Sequence, residues 1–147
     1  MTIKNLKLIA NNSEDLKVIS AHLQDSIVST LDTANLKKNR IFLLQLSRFM
    51  WEDVEKGVFR KNKRIRTVLK FENVLSVMSR NINPKDKERF LDFLTMESNI
   101  LQDKTYEINL IFSGDVVIKI RAEVIEITLD DQGSPWETKN KPKHNFL

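Results

Sequence analysis

The chain has 147 residues, of which 41% are hydrophobic and 30% are charged, and its formal net charge is +4. This length is typical of a single domain, and the apolar content excludes a chain that is disordered throughout. The absence of cysteine excludes disulfides, thiolate nucleophiles and cysteine zinc sites.

The N-terminal part of the sequence predicts one strand followed by one long helix. Residues 3–10 are typical of a strand, and Ser13 is a residue type that caps helix N-termini. Apolar residues then recur at helical spacing and predict a helix over residues 13–30. They are Leu16, Ile19, Leu23 and Ile27.

The middle of the sequence predicts mainly β-structure. Residues 40–51 are so apolar that they predict a central strand covered on both faces. Asn83-Pro84 ends the β-pattern, and Pro84 suits the first turn of a short second helix over residues 85–91. Further strands are predicted over residues 31–36, 64–71 and 74–80.

The C-terminal part predicts a β-hairpin and then an irregular tail. Residues 106–112 and 116–122 alternate on either side of the turn Ser113-Gly114-Asp115, and another strand is expected over residues 95–101. A bulge near Ala122 would keep the following apolar residues facing the core. Residues 131–147 contain two prolines and little periodicity, and Trp136 is expected to hold them against the body.

These elements predict an α+β fold with a curved antiparallel sheet of about seven strands packed against one N-terminal helix, plus a short second helix. We expect one globular domain over residues 1–130, with residues 131–147 as a tail packed on it. No apolar run reaches the length of a signal peptide core or a membrane span, which favours a soluble cytoplasmic protein.

A few polar and aromatic side chains are candidates for a binding site. His22 and Asp25 fall on neighbouring turns of the predicted helix, and Arg48 and Trp51 flank the end of the long central strand. An arginine and a tryptophan at a strand end can frame a small pocket, as Trp136 can at its turn. The same residues also suit a core boundary, so no catalytic residue, metal ligand or cofactor site is assigned.

The densest positive charge defines a second candidate, a basic stretch formed by Arg60, Lys61, Lys63, Arg64 and Arg66. Phosphates would bind such a face, and Lys119 and Arg121 would extend it if their strand lay beside residues 64–71. The competing interpretation is a charged loop and an edge strand that charge protects from aggregation. The modest net charge favours this second interpretation.

Short pieces along nearly the whole chain resemble a bacterial family, domain of unknown function 2948. The pieces are Leu6-Lys7-Leu8-Ile9-Ala10, Glu14-Asp15-Leu16, Ala21-His22-Leu23-Gln24-Asp25, Arg48-Phe49-Met50-Trp51-Glu52, the strand pair over residues 64–80, and Gly133-Ser134-Pro135-Trp136 with His144. The resemblance implies a stand-alone cytoplasmic domain. It implies no activity, cofactor or functional residue.

Three functional hypotheses follow. The leading one is a non-enzymatic module that binds a small ligand or a protein, because no nucleophile–base pair, metal cluster or phosphate loop stands out. The second is nucleic-acid association through the basic stretch. The third is an enzyme around His22, Asp25, Arg48 and Glu52, which requires these residues to converge in one cleft. A homodimer or another protein partner fits the leading hypothesis.

Overall fold

Within residues 5–52, 62–83, 85 and 87–138, which the computed structural model describes, the chain forms nine strands and an N-terminal α-helix, and Trp51 and Glu52 are also helical. The N-terminal elements are β1 (Lys7–Ala10), α1 (Ser13–Leu23), β2 (Ile27–Leu36), a 3-10 turn (Lys37–Asn39) and β3 (Ile41–Phe49). The remaining strands are β4 (Lys63–Phe71), β5 (Val74–Arg80), β6 (Phe90–Ile100), β7 (Tyr106–Phe112), β8 (Val116–Ala122) and β9 (Ile127–Glu137).

All nine strands join one open antiparallel sheet in the order β1-β9-β4-β3-β2-β6-β7-β8-β5. The predicted α+β class and antiparallel sheet are therefore confirmed, with nine strands instead of about seven. The sheet curls until its edge strand β5 returns to the start of β3, where the Val74 amide donates to the Arg40 carbonyl at 2.9 Å. Strands β2 and β5 consequently lie near each other without being hydrogen-bonded neighbours.

One face of the sheet encloses the core together with α1. On β4, the alternation predicted from the sequence is confirmed, because Ile65, Thr67, Leu69 and Phe71 are buried while Arg66 is exposed. Strand β3 is central, as predicted, but its residues alternate between buried and half-buried positions. The expectation that β3 is covered on both faces is therefore wrong.

The helix is shorter than its apolar pattern predicts. It ends at Leu23, and Asp25 takes a positive φ of 64°, a conformation that turns the chain out of the helix. Ile27 and Val28 already belong to β2, because β-branched side chains suit a strand. The N-cap is Asn12, whose side chain accepts a hydrogen bond from the Asp15 amide, and not Ser13.

The predicted second helix is absent from the described residues, where positions 85 and 87–89 are not helical and β6 begins at Phe90. The backbone of this segment bonds to β2 instead of to itself. The Thr30 amide donates to the Arg89 carbonyl, and the Arg89 amide donates to the Thr30 hydroxyl. Tertiary pairing therefore replaces the local hydrogen bonds of a helix.

The C-terminal elements also differ from the prediction. The chain does not bulge at Ala122; it turns over residues 123–126 and enters β9, which pairs with β1 and β4. Strand β9 continues to Glu137, so the first part of the segment expected to be irregular is β-structure. Among the described residues, no helix is long and apolar enough to cross a membrane.

Candidate functional site

Arg48 lies on the core side of β3, where its side chain is completely buried. Its Nε and Nη2 donate to the two carboxylate oxygens of Asp131 at 2.8 and 2.7 Å. Its Nη1 and Nη2 donate to the two carboxylate oxygens of Glu52 at 2.9 and 2.8 Å. We call these three residues the Arg48 cluster.

The electrostatics of the Arg48 cluster favour the charged forms of Arg48 and Glu52. Burial by itself acts to lower the pKa of Arg48, but hydrogen bonds and charge attraction from Asp131 and Glu52 outweigh it and raise the pKa. Burial likewise acts to raise the pKa of Glu52, yet Arg48 and, more weakly, His22 lower it below its ordinary value. Asp131 also accepts the Leu6 amide at 3.0 Å, which ties β1 to the cluster.

The residues around the Arg48 cluster join the end of α1 to the ends of β3 and β4. The Trp51 indole N–H donates to the Gln24 carbonyl at 2.8 Å. Arg64 donates from Nη1 to the carbonyls of Asp25 and Ser47 at 3.2 and 3.0 Å. The structure thus brings four of the predicted site residues to one end of the sheet: His22, Asp25, Arg48 and Trp51.

The contacts among these side chains stabilise the fold more than they expose reactive groups to solvent. Every nitrogen of the Arg48 guanidinium already donates to a carboxylate, and both carboxylates bind it through both oxygens. Trp136, the fifth predicted residue, lies opposite Arg64 on β9 and is 42% exposed. In the part of the chain that is described, no three His, Asp or Glu side chains are grouped to hold a metal ion.

The basic stretch is only partly described, because Arg60 and Lys61 lie outside the described residues. Arg64 is turned toward the carbonyls of Asp25, just after α1, and of Ser47 in β3, and its Cζ lies 5.8 Å from the centre of the Phe49 ring. Burial lowers the pKa of Arg64, partly offset by Asp25 and Asp92. Lys63 and Arg66 remain at least partly accessible on β4.

The proposed extension of the basic stretch by Lys119 and Arg121 is wrong. Their strand β8 pairs with β5 and β7, on the other side of the sheet from β4. Each of the two is ion-paired locally, Lys119 with Glu107 and Arg121 with Asp103. The hairpin charges therefore do not join those of β4.

A second feature is a large bulge in β2, at which the regular pairing of β2 with β3 is interrupted. Val28 pairs with Leu46 and Thr33 with Leu44, so residues 29–32 stand opposite Gln45 alone. Leu31 is pushed into solvent and is 68% exposed. Pairing of β2 with β6 stops at Ser29, so from there on the side of β2 away from β3 has no strand neighbour in the described chain.

A cavity of about 190 Å³ lies between this part of β2 and the edge strand β5, and we call it the β2–β5 cleft. Apolar side chains from both halves of the sheet form most of its wall: Val28, Phe42, Leu44, Val77, Ile82, Leu91 and Ile118. Hydroxyl side chains complete it: Ser29, Thr30, Thr33 and Ser79. A largely apolar wall with a few polar groups is typical of small-ligand sites.

The cleft continues along β5 into a second depression of about 420 Å³. The two share Val77, and the second is lined by residues 74–77 of β5 together with Asn35, Lys37 and Arg40. Arg40 forms an ion pair with Glu123 at 2.7 Å. The cleft therefore runs beside most of β5 and has basic side chains at the Val74 end.

Sequence reasoning found the first of these regions and missed the second. Charged and aromatic residues near a strand end drew attention to Arg48, although its partner Asp131 lies far away in sequence. The cleft depends on a bulge and on the curling of the sheet, and neither leaves a periodic pattern. The serine and threonine residues within β2 were the only available sign, and such residues are also common in ordinary strands.

No curated protein and no solved structure gave a match to the chain. A family model does match, and it covers residues 6–144, which is nearly the whole sequence. The resemblance noted from short sequence pieces is therefore confirmed. The chain belongs to the family described as Protein of unknown function (DUF2948).

Proposed function

We propose that this protein is a non-enzymatic binding module and that its site is the β2–β5 cleft. The observation that carries the proposal is an apolar cavity between two strand edges that do not pair with each other. A ligand that enters this partly open cavity can bury its apolar surface against the apolar wall. Its polar groups can bind the hydroxyl side chains of the same wall.

The volume and chemistry of the cleft set the size of what it accepts. Apolar cavities of about 150 Å³ bind benzene or xenon, so about 190 Å³ suits one compact apolar group. The hydroxyls of Thr30, Thr33 and Ser79 at the wall favour a ligand that also carries a hydrogen-bond acceptor. The burial of Leu44 and Ile118 gives that group a dry surface to contact.

The other two hypotheses have weaker support. An enzyme around Arg48 would need a hydrogen-bond donor or a carboxylate that is free to contact a substrate. The guanidinium nitrogens of Arg48 and the carboxylate oxygens of Glu52 and Asp131 are instead hydrogen-bonded to one another. Nucleic-acid binding through the basic stretch loses Arg64, which donates to backbone carbonyls. Ligand binding in the β2–β5 cleft is therefore the function that we prefer.

The test uses benzene and xenon as probes, followed by NMR of the methyl groups. We expect saturable shifts at Val28, Leu44, Leu91 and Ile118, which line the cleft. Filling the cleft by Val77→Phe should abolish those shifts. The matched control is Val18→Phe on the exposed side of α1, where Val18 is 50% exposed, and this variant should bind the probes like the parent protein.

Two results would overturn the proposal. One is the absence of saturable shifts at the cleft methyls with either probe. The other is an identical response in Val77→Phe and the parent protein, which would place the probes elsewhere. A Val77→Phe variant that does not fold is replaced by Ser79→Phe, because Ser79 lines the same cleft from an exposed position.

A further inference from the structure

We propose, on the basis of this binding function, that the ligand of the β2–β5 cleft is an extended peptide with acidic residues at its carboxyl end. The peptide would add a strand beside β5, place one apolar side chain in the cavity and end next to Lys37. The inference combines a free strand edge, the direction of the neighbouring strands and the charge at one end of the cleft.

The free edge of β5 supplies the first argument. Strand β5 is seven residues long, stands at one end of the sheet order and pairs only with β8 among the described strands. A strand edge presents a row of backbone donors and acceptors, and an extended peptide is the ligand that satisfies such a row. A small molecule would fill the cavity but leave that row unused.

The direction of the strands supplies the second argument. Every pairing from β6 through β7 and β8 to β5 is antiparallel, so this half of the sheet has a uniformly antiparallel order. A peptide that runs antiparallel to β5 extends this order by one strand. It would cover the free edge of β5, while β2 forms the opposite wall of the cleft.

The charge at the Val74 end supplies the third argument and sets the polarity. An antiparallel peptide begins near Arg80 and finishes near Val74, where the hydrogen bond from Val74 to the Arg40 carbonyl closes the cleft. Lys37 and Arg40 line the depression at this end. Arg40 is already paired with Glu123, so the exposed ammonium group of Lys37 is the cation that carboxylates on the last residues of the peptide would complement.

The cavity supplies the anchor. At about 190 Å³ it accommodates the side chain of one leucine, isoleucine or phenylalanine. Val77 and Ser79 point to the same side of β5 as the cavity, since they pair with the buried residues Ile120 and Ile118 of β8. A peptide side chain entering at this position would contact both sheet halves at once.

The test uses a capped seven-residue peptide of alternating threonine and leucine that ends in two glutamates, together with isotope-labelled protein. We expect saturable binding and slower amide exchange in β5 and in the second half of β2. A peptide that ends in two lysines should bind roughly fivefold more weakly. A peptide with proline at two central positions should not bind, because it lacks the backbone donors.

Variants of the protein locate the peptide. Lys37→Glu should weaken binding of the glutamate peptide and strengthen binding of the lysine peptide. Lys17→Glu, on the exposed surface of α1, should change the affinity of neither peptide. Val77→Phe should abolish binding of both peptides. Binding that survives the central prolines, or amide protection outside β2 and β5, would overturn the inference.

The outcomes separate this inference from the function on which it rests. If benzene and xenon enter the cleft but no peptide binds, the peptide inference is wrong and the proposed function as a binding module is retained. If neither probe class binds, both are wrong. If the protein self-associates with β5 amides protected at the contact, a second copy occupies the edge and the peptide inference fails.

Discussion

The Arg48 cluster and the β2–β5 cleft are opposite kinds of region within one small fold. In the cluster, three buried or half-buried charges meet with all their oxygens and all three guanidinium nitrogens in hydrogen bonds. In the cleft, apolar side chains surround open space, and two strand edges face each other without pairing. One region is polar and complete, while the other is apolar and incomplete.

The contrast between the two regions indicates where this protein can bind a partner or ligand. Residue types alone direct attention to the cluster, because arginine, aspartate, glutamate and histidine carry most enzyme chemistry. A charged group that is already matched, however, has little left to offer a ligand. The cleft has unremarkable residue types, yet its unfilled volume and unpaired edges leave interactions to be made. In this fold, unfilled apolar volume and unpaired strand edges therefore indicate a binding site better than charged residue types do.

The largest expected effect comes from removing the arginine of the cluster. Arg48→Met leaves the Asp131 carboxylate buried, with its side chain only 2% exposed, and without its partner. We expect the free energy of unfolding to fall by about 3–5 kcal/mol, the usual cost of breaking a buried ion pair. Urea denaturation measures it. A loss under about 1 kcal/mol would mean that the Arg48 cluster does not stabilise the fold.

Two companion variants sharpen this result. Arg66→Met replaces an exposed arginine on the neighbouring strand and should change stability by less than about 0.5 kcal/mol. The double variant Arg48→Met with Asp131→Leu should regain much of the loss, since the buried Asp131 carboxylate is gone and the remaining carboxylate, Glu52, is 27% exposed to water. A double variant as unstable as Arg48→Met alone would point to lost packing instead of an orphaned charge.

A smaller effect is expected from Glu52, whose side chain is 27% exposed. Its pKa is lower in the folded protein than its ordinary value of 4.5, so its contribution is complete above that value and is lost as the pH falls through the folded pKa. Glu52→Gln should cost about 1–2 kcal/mol at neutral pH. The gap to the parent protein should close as the pH falls below the ordinary pKa of 4.5 and through the lower pKa of the folded state.

The control for this pH dependence is Glu97→Gln, which changes an exposed carboxylate on β6. Its unfolding free energy should follow that of the parent protein at every pH. A constant gap between Glu52→Gln and the parent protein across the acid range would contradict the assigned role of Glu52 in the Arg48 cluster.

The smallest effect is expected in the cleft. Val77→Phe adds a ring where the structure has open space, so the free energy of unfolding should change by less than about 1 kcal/mol. The same enlargement in a filled core typically costs about 1–3 kcal/mol. Thermal or urea unfolding of this variant therefore tests whether the cleft is open in solution. A loss above about 2 kcal/mol would mean that it is closed.

Local patterns predicted the strands that lie within a single periodic run. The alternation over residues 64–71 and the hairpin at Ser113-Gly114-Asp115 appear as expected, because side-chain period and turn chemistry act over a few residues. The apolar spacing through Ile27 overestimated the helix, because a positive φ at Asp25 ends it. The segment before Phe90 was misassigned because its hydrogen-bond partner, Thr30, is distant in sequence.

The fold class, the antiparallel sheet, the helix that begins near Ser13 and the family of the chain could all be predicted from residue patterns. The contact of Arg48 with Asp131 across 83 positions, and the approach of β2 to β5 without pairing, became visible only in the folded chain. These features differ in the sequence distance over which the responsible interactions act. Periodicity and capping act between near neighbours, whereas the partner of a buried charge and the gap between two strand edges depend on how the whole sheet curls.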